Sequence, residues 1–378
     1  MRNISICGHQ FQLLVTPPDS VGKLSLEGID IFCGLIHTGD ITFDPNAPEN
    51  ALKVLIRKRA FSCNYRDKAF ILKMAVKAPS DRFFTLGSEF VAEVVAVGQD
   101  VTQLQIGDRV IGNCCYPEPA APELRPGIPT NSGSKEYQVF HQAQLLKIPP
   151  EMPDEVAAAF SIGGQTTYSM IRKLDLKPGA NVLVTAAKSN TSLFAINVLK
   201  HLDVNIYATS TSLRFEPQLK DLGVKQLIQI DPTVSNWFNF DAIREICQKT
   251  GGFDGIIDPF FDLHIGKVIP LLAPNRGKYI TCGLYDQYSH ITERPFEYHG
   301  MLGRDLFAYT MMHNLQIIGN CLGTTEDLQR ALRDYATGRL RVVIDSVFTG
   351  TQVKEFFERT YHDPDRFGKV IYRYESAL

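Results

Sequence analysis

NVLVTAAKSNTSLFAINVLKHLDVNIYATST, residues 181–211, reads as strand, helix, strand. NVLVTAA (181–187) is a short, nearly continuous apolar run, TSLFAINVLKHL (191–202) has the length of a helix, and VNIYATST (204–211) is a second apolar run. Two buried strands joined by a helix form a βαβ unit, because parallel neighbours need a crossover of about a dozen residues. DGIIDPF (254–260) and GKYITCGL (277–284) continue the strand series, and LQIIGNCLG (315–323) suits its last or edge strand. DEVAAAFSIGGQTTYSMIRKL (154–174) leads in with a helical period. An α/β domain with a doubly wound parallel sheet is expected over residues 156–324.

The residues before it have another texture. VLIRKRAFS (54–62), EFVAEVVAVG (89–98) and DRVIGNCC (108–115) are short strand-like runs punctuated by Pro and Gly, and PEPAAPELRPGIP (117–129) is a surface loop. Such spacing predicts a β-rich barrel or sandwich over residues 1–155. The tail offers an amphipathic helix, EDLQRALRDYATGRL (326–340), then VVIDSVF (342–348), a helix over 352–361 and a strand KVIYRY (369–374). The first 155 residues lack a helical cover of their own, so the tail, 325–378, is expected to return and complete them.

Two domains suit 378 residues, and 44% hydrophobic with 21% charged residues is ordinary for a water-soluble fold. The net charge of −2 comes without a basic block or stripe, which argues against a nucleic-acid partner. No run approaches the roughly 18 uncharged apolar residues of a membrane span, and MRNISICGHQFQLLV does not read as a signal peptide. A cytoplasmic protein is expected. Eight cysteines are scattered with no C-x-x-C pair, which predicts free thiols.

Particular words along the chain resemble the medium-chain dehydrogenase/reductase superfamily, and its zinc-free quinone-oxidoreductase and enoyl-reductase branch in particular. SCNYRD (62–67), GSEFVAEVVAVGQDVTQLQIGDRVIG (87–112), SGSKEYQVF (132–140), GGQTTYSMI (163–171) and LKPGANVLVTAA (176–187) are similar to its landmarks, as are GGFDGIIDPF (251–260), NRGKYITCG (275–283) and DPDRFGKVIY (363–372). The resemblance implies a GroES-like β-rich catalytic domain beside a Rossmann dinucleotide-binding domain.

It also implies where a metal would sit. The family's catalytic zinc takes a Cys and a His at positions that here read Asn64 and Ser88, both poor zinc ligands. Cys63 is one residue off, and the loop after GDRV has only Cys114 and Cys115 where a structural zinc needs four cysteines. No metal is expected, and the zinc-free branch reduces activated C=C bonds by hydride transfer.

The pyrophosphate of a dinucleotide would sit at the loop AAKSNTS (186–192), where backbone N–H groups and a helix dipole favour phosphate. The fingerprint there wants glycines, yet Ala186, Ser189 and Ser192 stand in their places. Two readings compete. In one, Ala187, Lys188, Ser189, Asn190 and Thr191 still hold a dinucleotide; in the other, the fold has become a scaffold or binding protein. ATSTSLR (208–214) carries no acid for a ribose hydroxyl, and Ser210 and Arg214 suit a 2′-phosphate, so NADPH is the expected cofactor. The resemblance adds Thr166 and Gly283 near the nicotinamide. Tyr65 and Asn64 are candidate donors to developing negative charge, and Asp67 is placed at a cleft edge. A small-molecule or carrier-bound substrate and a homodimer complete the expectation.

Overall fold

The computed structural model describes residues 1–7, 21–77, 82–287 and 301–375, with the Lys77 side chain excepted. The chain forms two compact units. Of the described residues, those up to Ile162 and from Val342 on belong to the first, and Gly163–Asp286 with those from Met301 to Arg341 to the second.

The first unit is built on two sheets. A seven-stranded sheet runs Ile344–Thr349, Lys369–Arg373, Lys53–Ser62, Glu89–Val97, Arg109–Gly112 and Leu145–Lys147, with Tyr137–His141 paired to Lys53–Ser62. An antiparallel four-stranded sheet runs Val21–Leu26, Ile29–His37, Arg2–Cys7 and Phe84–Thr85. Alternate residues of Lys53–Ser62 are buried from Val54 to Ala60, as a strand with one face on a core requires, and Phe61 and Ser62 are buried after them. The helix Val353–Tyr361 buries Val353, Phe356 and Phe357 in that core, and Phe356 meets Phe61 and Tyr372 edge-on.

The second unit carries the βαβ series. Six parallel strands stand in the order Val224–Gln229, Val204–Ser210, Ala180–Val184, Gly255–Asp258, Lys278–Thr281, Gln316–Gly319. In chain order that is 3-2-1-4-5-6, the doubly wound order whose reversal between the first and fourth strands leaves a ligand crevice at their carboxyl ends. Among the described residues no helix is long and apolar enough to cross a membrane.

Two boundaries differ from the sequence expectation. The helix Thr325–Ala336 falls in the second unit, so what returns to the first begins at Val342 rather than 325. The cause is polar: Arg172 pairs with Asp327 at 2.8 Å, Tyr168 donates to Asp334 at 2.6 Å, and Gln165 donates to the Thr324 carbonyl at 2.9 Å. The helical lead-in is also divided, into Asp154–Ala157 and Ser161–Leu174, and the first unit runs on to Ile162 rather than 155.

Candidate functional site

In the first unit, SCNYRD is the junction between a strand and a helix that sequence reading missed. The strand ends at Ser62, and Tyr65–Lys77 is helical. Asp67, in its first turn, accepts the Asn64 backbone N–H at 2.7 Å, which ties the helix start to the residue before it. Tyr65 therefore opens a helix. Its ring packs against the core and lies 5.3 Å from the Lys68 ammonium.

Asn64 and Asp67 face a buried polar network. Asn64 Nδ2 donates to Ser88 Oγ at 3.1 Å and to Glu89 Oε2 at 2.7 Å, and Asn64 Oδ1 accepts from Lys369 Nζ at 2.6 Å. Both amide hydrogens are thus used inside the unit, so Asn64 is not the donor expected from sequence. Ser88 Oγ donates to Asp67 Oδ2 at 2.6 Å. Burial pushes the Asp67 carboxyl up, and the charge of Arg66 opposes it. Lys369 Nζ also bonds Glu89 Oε2 at 2.6 Å, and the other Glu89 oxygen takes the Ile162 N–H at 2.6 Å. Sequence reading missed Glu89 and Lys369; their signal was a carboxylate beside Ser88 and a lysine opening the closing strand KVIYR.

This donor set does not fit a zinc ion. A neutral amide and a hydroxyl occupy the two family positions, their hydrogen-bonding groups are engaged with each other, and an ammonium lies against them. Among the described residues no group of three or more His, Cys, Asp or Glu is gathered to hold a metal.

In the second unit, the loop 185–189 leaves the first sheet strand at the crevice. Ala186 has φ of 48°, the left-handed backbone that a glycine fingerprint provides, here adopted by a residue with a β-carbon. Ser189 caps the helix Asn190–Leu199, its hydroxyl accepting the Ser192 N–H at 3.2 Å, and the Leu193 N–H goes to the Ser189 carbonyl. The N–H groups of Asn190 and Thr191 have no acceptor among the described residues. They are the orphan donors of a helix N-terminus and fit a phosphate. Ser192, in the third glycine's place, is buried and donates from Oγ to the Thr185 carbonyl at 2.7 Å.

The remaining cofactor candidates lie in the same unit. Ala187 is buried, its N–H donating to the Thr209 carbonyl, and Lys188 is half-buried. Ser210 ends the second strand and accepts the Ser212 N–H at 3.2 Å. Arg214 is exposed, its guanidinium 5.5 Å from the Phe215 ring centre. Thr166 is buried on the helix Ser161–Leu174. At Gly283 a β-carbon would come within 2.6 Å of the Pro259 carbonyl, so glycine is required there by close backbone approach.

Asp258, which sequence reading passed over, ends the fourth strand beside this loop. It accepts from Thr185 Oγ1 at 2.6 Å and Tyr279 OH at 2.7 Å, and lies 2.8 Å from His264 Nδ1. Against the burial that would raise it, His264 and Thr185 hold the Asp258 carboxyl below its ordinary value.

Residues 50–150 match the alcohol dehydrogenase GroES-like domain. The chain is 25% identical over 335 residues to an acryloyl-coenzyme A reductase of Metallosphaera sedula, spanning 84% of this chain and 91% of that protein. It is 25% identical over 329 residues to the trans-enoyl reductase RAP2 of Pyricularia oryzae, spanning 82% and 85%. A solved NAD-dependent alcohol dehydrogenase superposes with a TM-score of 0.73 at 24% identity, covering 99% of both chains.

Proposed function

We propose, for a chain that belongs to the medium-chain dehydrogenase/reductase superfamily, that it is a zinc-independent, NADPH-dependent oxidoreductase. Its substrate class is an activated carbon–carbon double bond, of the enoyl or quinone kind, on a small or carrier-bound molecule. The observation that carries the reading is the buried Asn64–Ser88–Glu89–Lys369 network, which engages the side chains a metal would need. Two relatives whose names describe reduction of an enoyl or acryloyl group support the choice of bond.

A bound NADPH supplies the hydride. The orphan N–H groups of Asn190 and Thr191, with Lys188 and Ser189, would hold its phosphates, and Ser210 with Arg214 would favour the 2′-phosphate. Thr166 and Gly283 stay assigned to the nicotinamide by resemblance. With Asn64 committed inward, the Tyr65 hydroxyl is the remaining candidate at the strand end to donate a proton or hydrogen bond to the reduced substrate. Asn64 and Asp67 act on it by fixing the start of its helix.

The scaffold reading keeps one observation in its favour: the Ser192 hydroxyl fills the place of a glycine and is tied to the loop carbonyl. One titration separates the two. NADPH fluorescence on the purified protein should show saturable binding, tighter than NADH by about tenfold or more, since a charge-assisted Arg–phosphate contact contributes about 1.5–3 kcal/mol. Arg214→Ala should erase most of that preference. Enoyl-thioester-dependent NADPH oxidation should survive prolonged chelation. Activity lost to a chelator contradicts zinc independence, and absence of binding at millimolar cofactor returns the scaffold.

A further inference from the structure

The crevice of the second unit has a buried carboxylate in its floor. One residue beyond the pairs Val184↔Ile257 and Val184↔Ala208, Thr185 stands in a row between Asp258 and Thr209, at the carboxyl ends of three parallel strands. Asp258 is fully buried. Its Oδ1 takes the Thr185 hydroxyl at 2.6 Å and the Phe260 N–H at 3.0 Å, with His264 Nδ1 at 2.8 Å, and its Oδ2 takes the Tyr279 hydroxyl at 2.7 Å. Burial alone would favour the protonated acid; these partners more than offset it and keep the carboxylate charged. Thr185 is in turn tied on three sides. Its N–H donates to the Ile257 carbonyl at 3.0 Å, its hydroxyl to Asp258, and its carbonyl accepts Ser192 Oγ at 2.7 Å. Ala186 follows at φ of 48°. A residue with a β-carbon stays in that region only where its neighbours over-determine it. On the far side the Ala187 N–H goes to the Thr209 carbonyl at 2.9 Å. Of these ties the one to Asp258 involves a charge, which makes it the strongest.

We infer that Asp258 is a positioning residue for the cofactor: through Thr185 it clamps the start of a loop that has no glycine, and so keeps the form that leaves the Asn190 and Thr191 N–H groups open to phosphate. The inference rests on the nicotinamide-cofactor reading given above. The clamp stands in for the conformational freedom that the fingerprint glycines would supply.

The test is NADPH fluorescence titration, below each thermal transition, of the full chain as wild type, Thr185→Val, Thr185→Ser, Tyr279→Phe and Thr185→Val/Ala186→Gly. Thr185→Val removes the hydroxyl and keeps the shape. Tyr279→Phe removes a hydroxyl from the same carboxylate, away from the loop. Both should lower the melting temperature of the cofactor-free protein. Thr185→Val should also weaken NADPH by about tenfold or more, the size of a charge-assisted hydrogen bond, while Tyr279→Phe stays within about twofold of wild type. Thr185→Ser should bind as wild type does. Ala186→Gly should recover most of what Thr185→Val loses, since glycine takes the left-handed turn without a clamp. Affinity retained in Thr185→Val, an equal loss in Tyr279→Phe, or no recovery with serine or with glycine would each overturn the inference and leave the cofactor reading standing. A wild type that binds no NADPH at millimolar concentration would remove both.

Discussion

Tyr65 is where the chemical proposal is most exposed to experiment. If its hydroxyl serves the reduction, Tyr65→Phe should lower kcat by about 10²-fold, the usual size of a lost general acid, while NADPH binding stays within about twofold. A full-rate Tyr65→Phe enzyme would assign the ring to packing alone. Lys58 makes a second local claim. It is buried, donates to the Ser132 carbonyl at 2.8 Å and Gln138 Oε1 at 2.6 Å, and lies 4.6 Å from the centre of the Phe90 ring, with no carboxylate among the described residues bonded to it. Burial, helped by Lys135, pushes its amine well below the ordinary lysine range. The folded state then lacks a proton that the unfolded chain binds below its own value of 10.5, so stability rises with pH through that window and levels off above it. Relative to Lys58→Met, wild type should gain stability as pH rises toward the ordinary lysine value of 10.5, read by denaturant unfolding. A difference independent of pH would mean that the amine stays charged. The residue types were legible in the sequence and their directions were not. The resemblance made Asn64 a candidate donor and put Asp67 at a cleft edge, whereas the helix beginning at Tyr65 turns both into a network completed by a lysine three hundred residues away.

The loop before the helix Asn190–Leu199 shows how an element can keep a backbone after losing its signature. Ala186 takes the left-handed φ of 48° that the fingerprint assigns to glycine, and Ser189 and Ser192 replace two further glycines with a hydroxyl pair 2.9 Å apart that closes the first turn. An L-residue in that region costs about 1–2 kcal/mol, while glycine gives back about 0.5–1 in chain entropy. Ala186→Gly should therefore leave stability unchanged or raise it by up to about 1 kcal/mol. Ala195→Gly, in the buried interior of the same helix, should cost about 1 kcal/mol or more. Equal losses at both positions, measured by thermal or denaturant unfolding, would contradict the strained turn. The parallel sheet was readable because its strands are near-continuous apolar runs with helices of ordinary length between them. The strand Val224–Gln229 was not, since VKQLIQ lies at an edge, mixes polar with apolar residues without a period of two, and buries only Val224, Leu227 and Ile228. The helix Tyr65–Lys77 was hidden by its charged residues, five among thirteen, which blur the apolar face that Ile71 and Leu72 place in the core.

Assembly follows from what the second unit leaves uncovered. Among the described residues, Gln316–Gly319 ends the six-stranded sheet, pairs on one side only with Lys278–Thr281, and has three of its four residues exposed. An unpaired edge offers a row of N–H and C=O groups to another strand. On the helix Gly303–Met312, Leu306 and Tyr309 pack into the unit's core. The opposite face carries Phe307 and Met311 one turn apart, each 73% exposed, with Met312 at 74%. Apolar side chains of that size at helical spacing mark an interaction surface. A two-fold axis beside the edge would pair Gln316–Gly319 antiparallel with its own copy, a contact in which one surface satisfies both partners. The expected species is therefore a homodimer, about twice the 42.3 kDa of the chain by light scattering at micromolar concentration. Phe307→Glu with Met311→Glu places two carboxylates per copy on the exposed helix face. If that face is covered in the dimer, the pair should shift the mass to 42.3 kDa while leaving the thermal transition of each unit intact. A wild-type mass of 42.3 kDa under the same conditions would remove the dimer, and a dimer indifferent to the double substitution would move its interface off this helix.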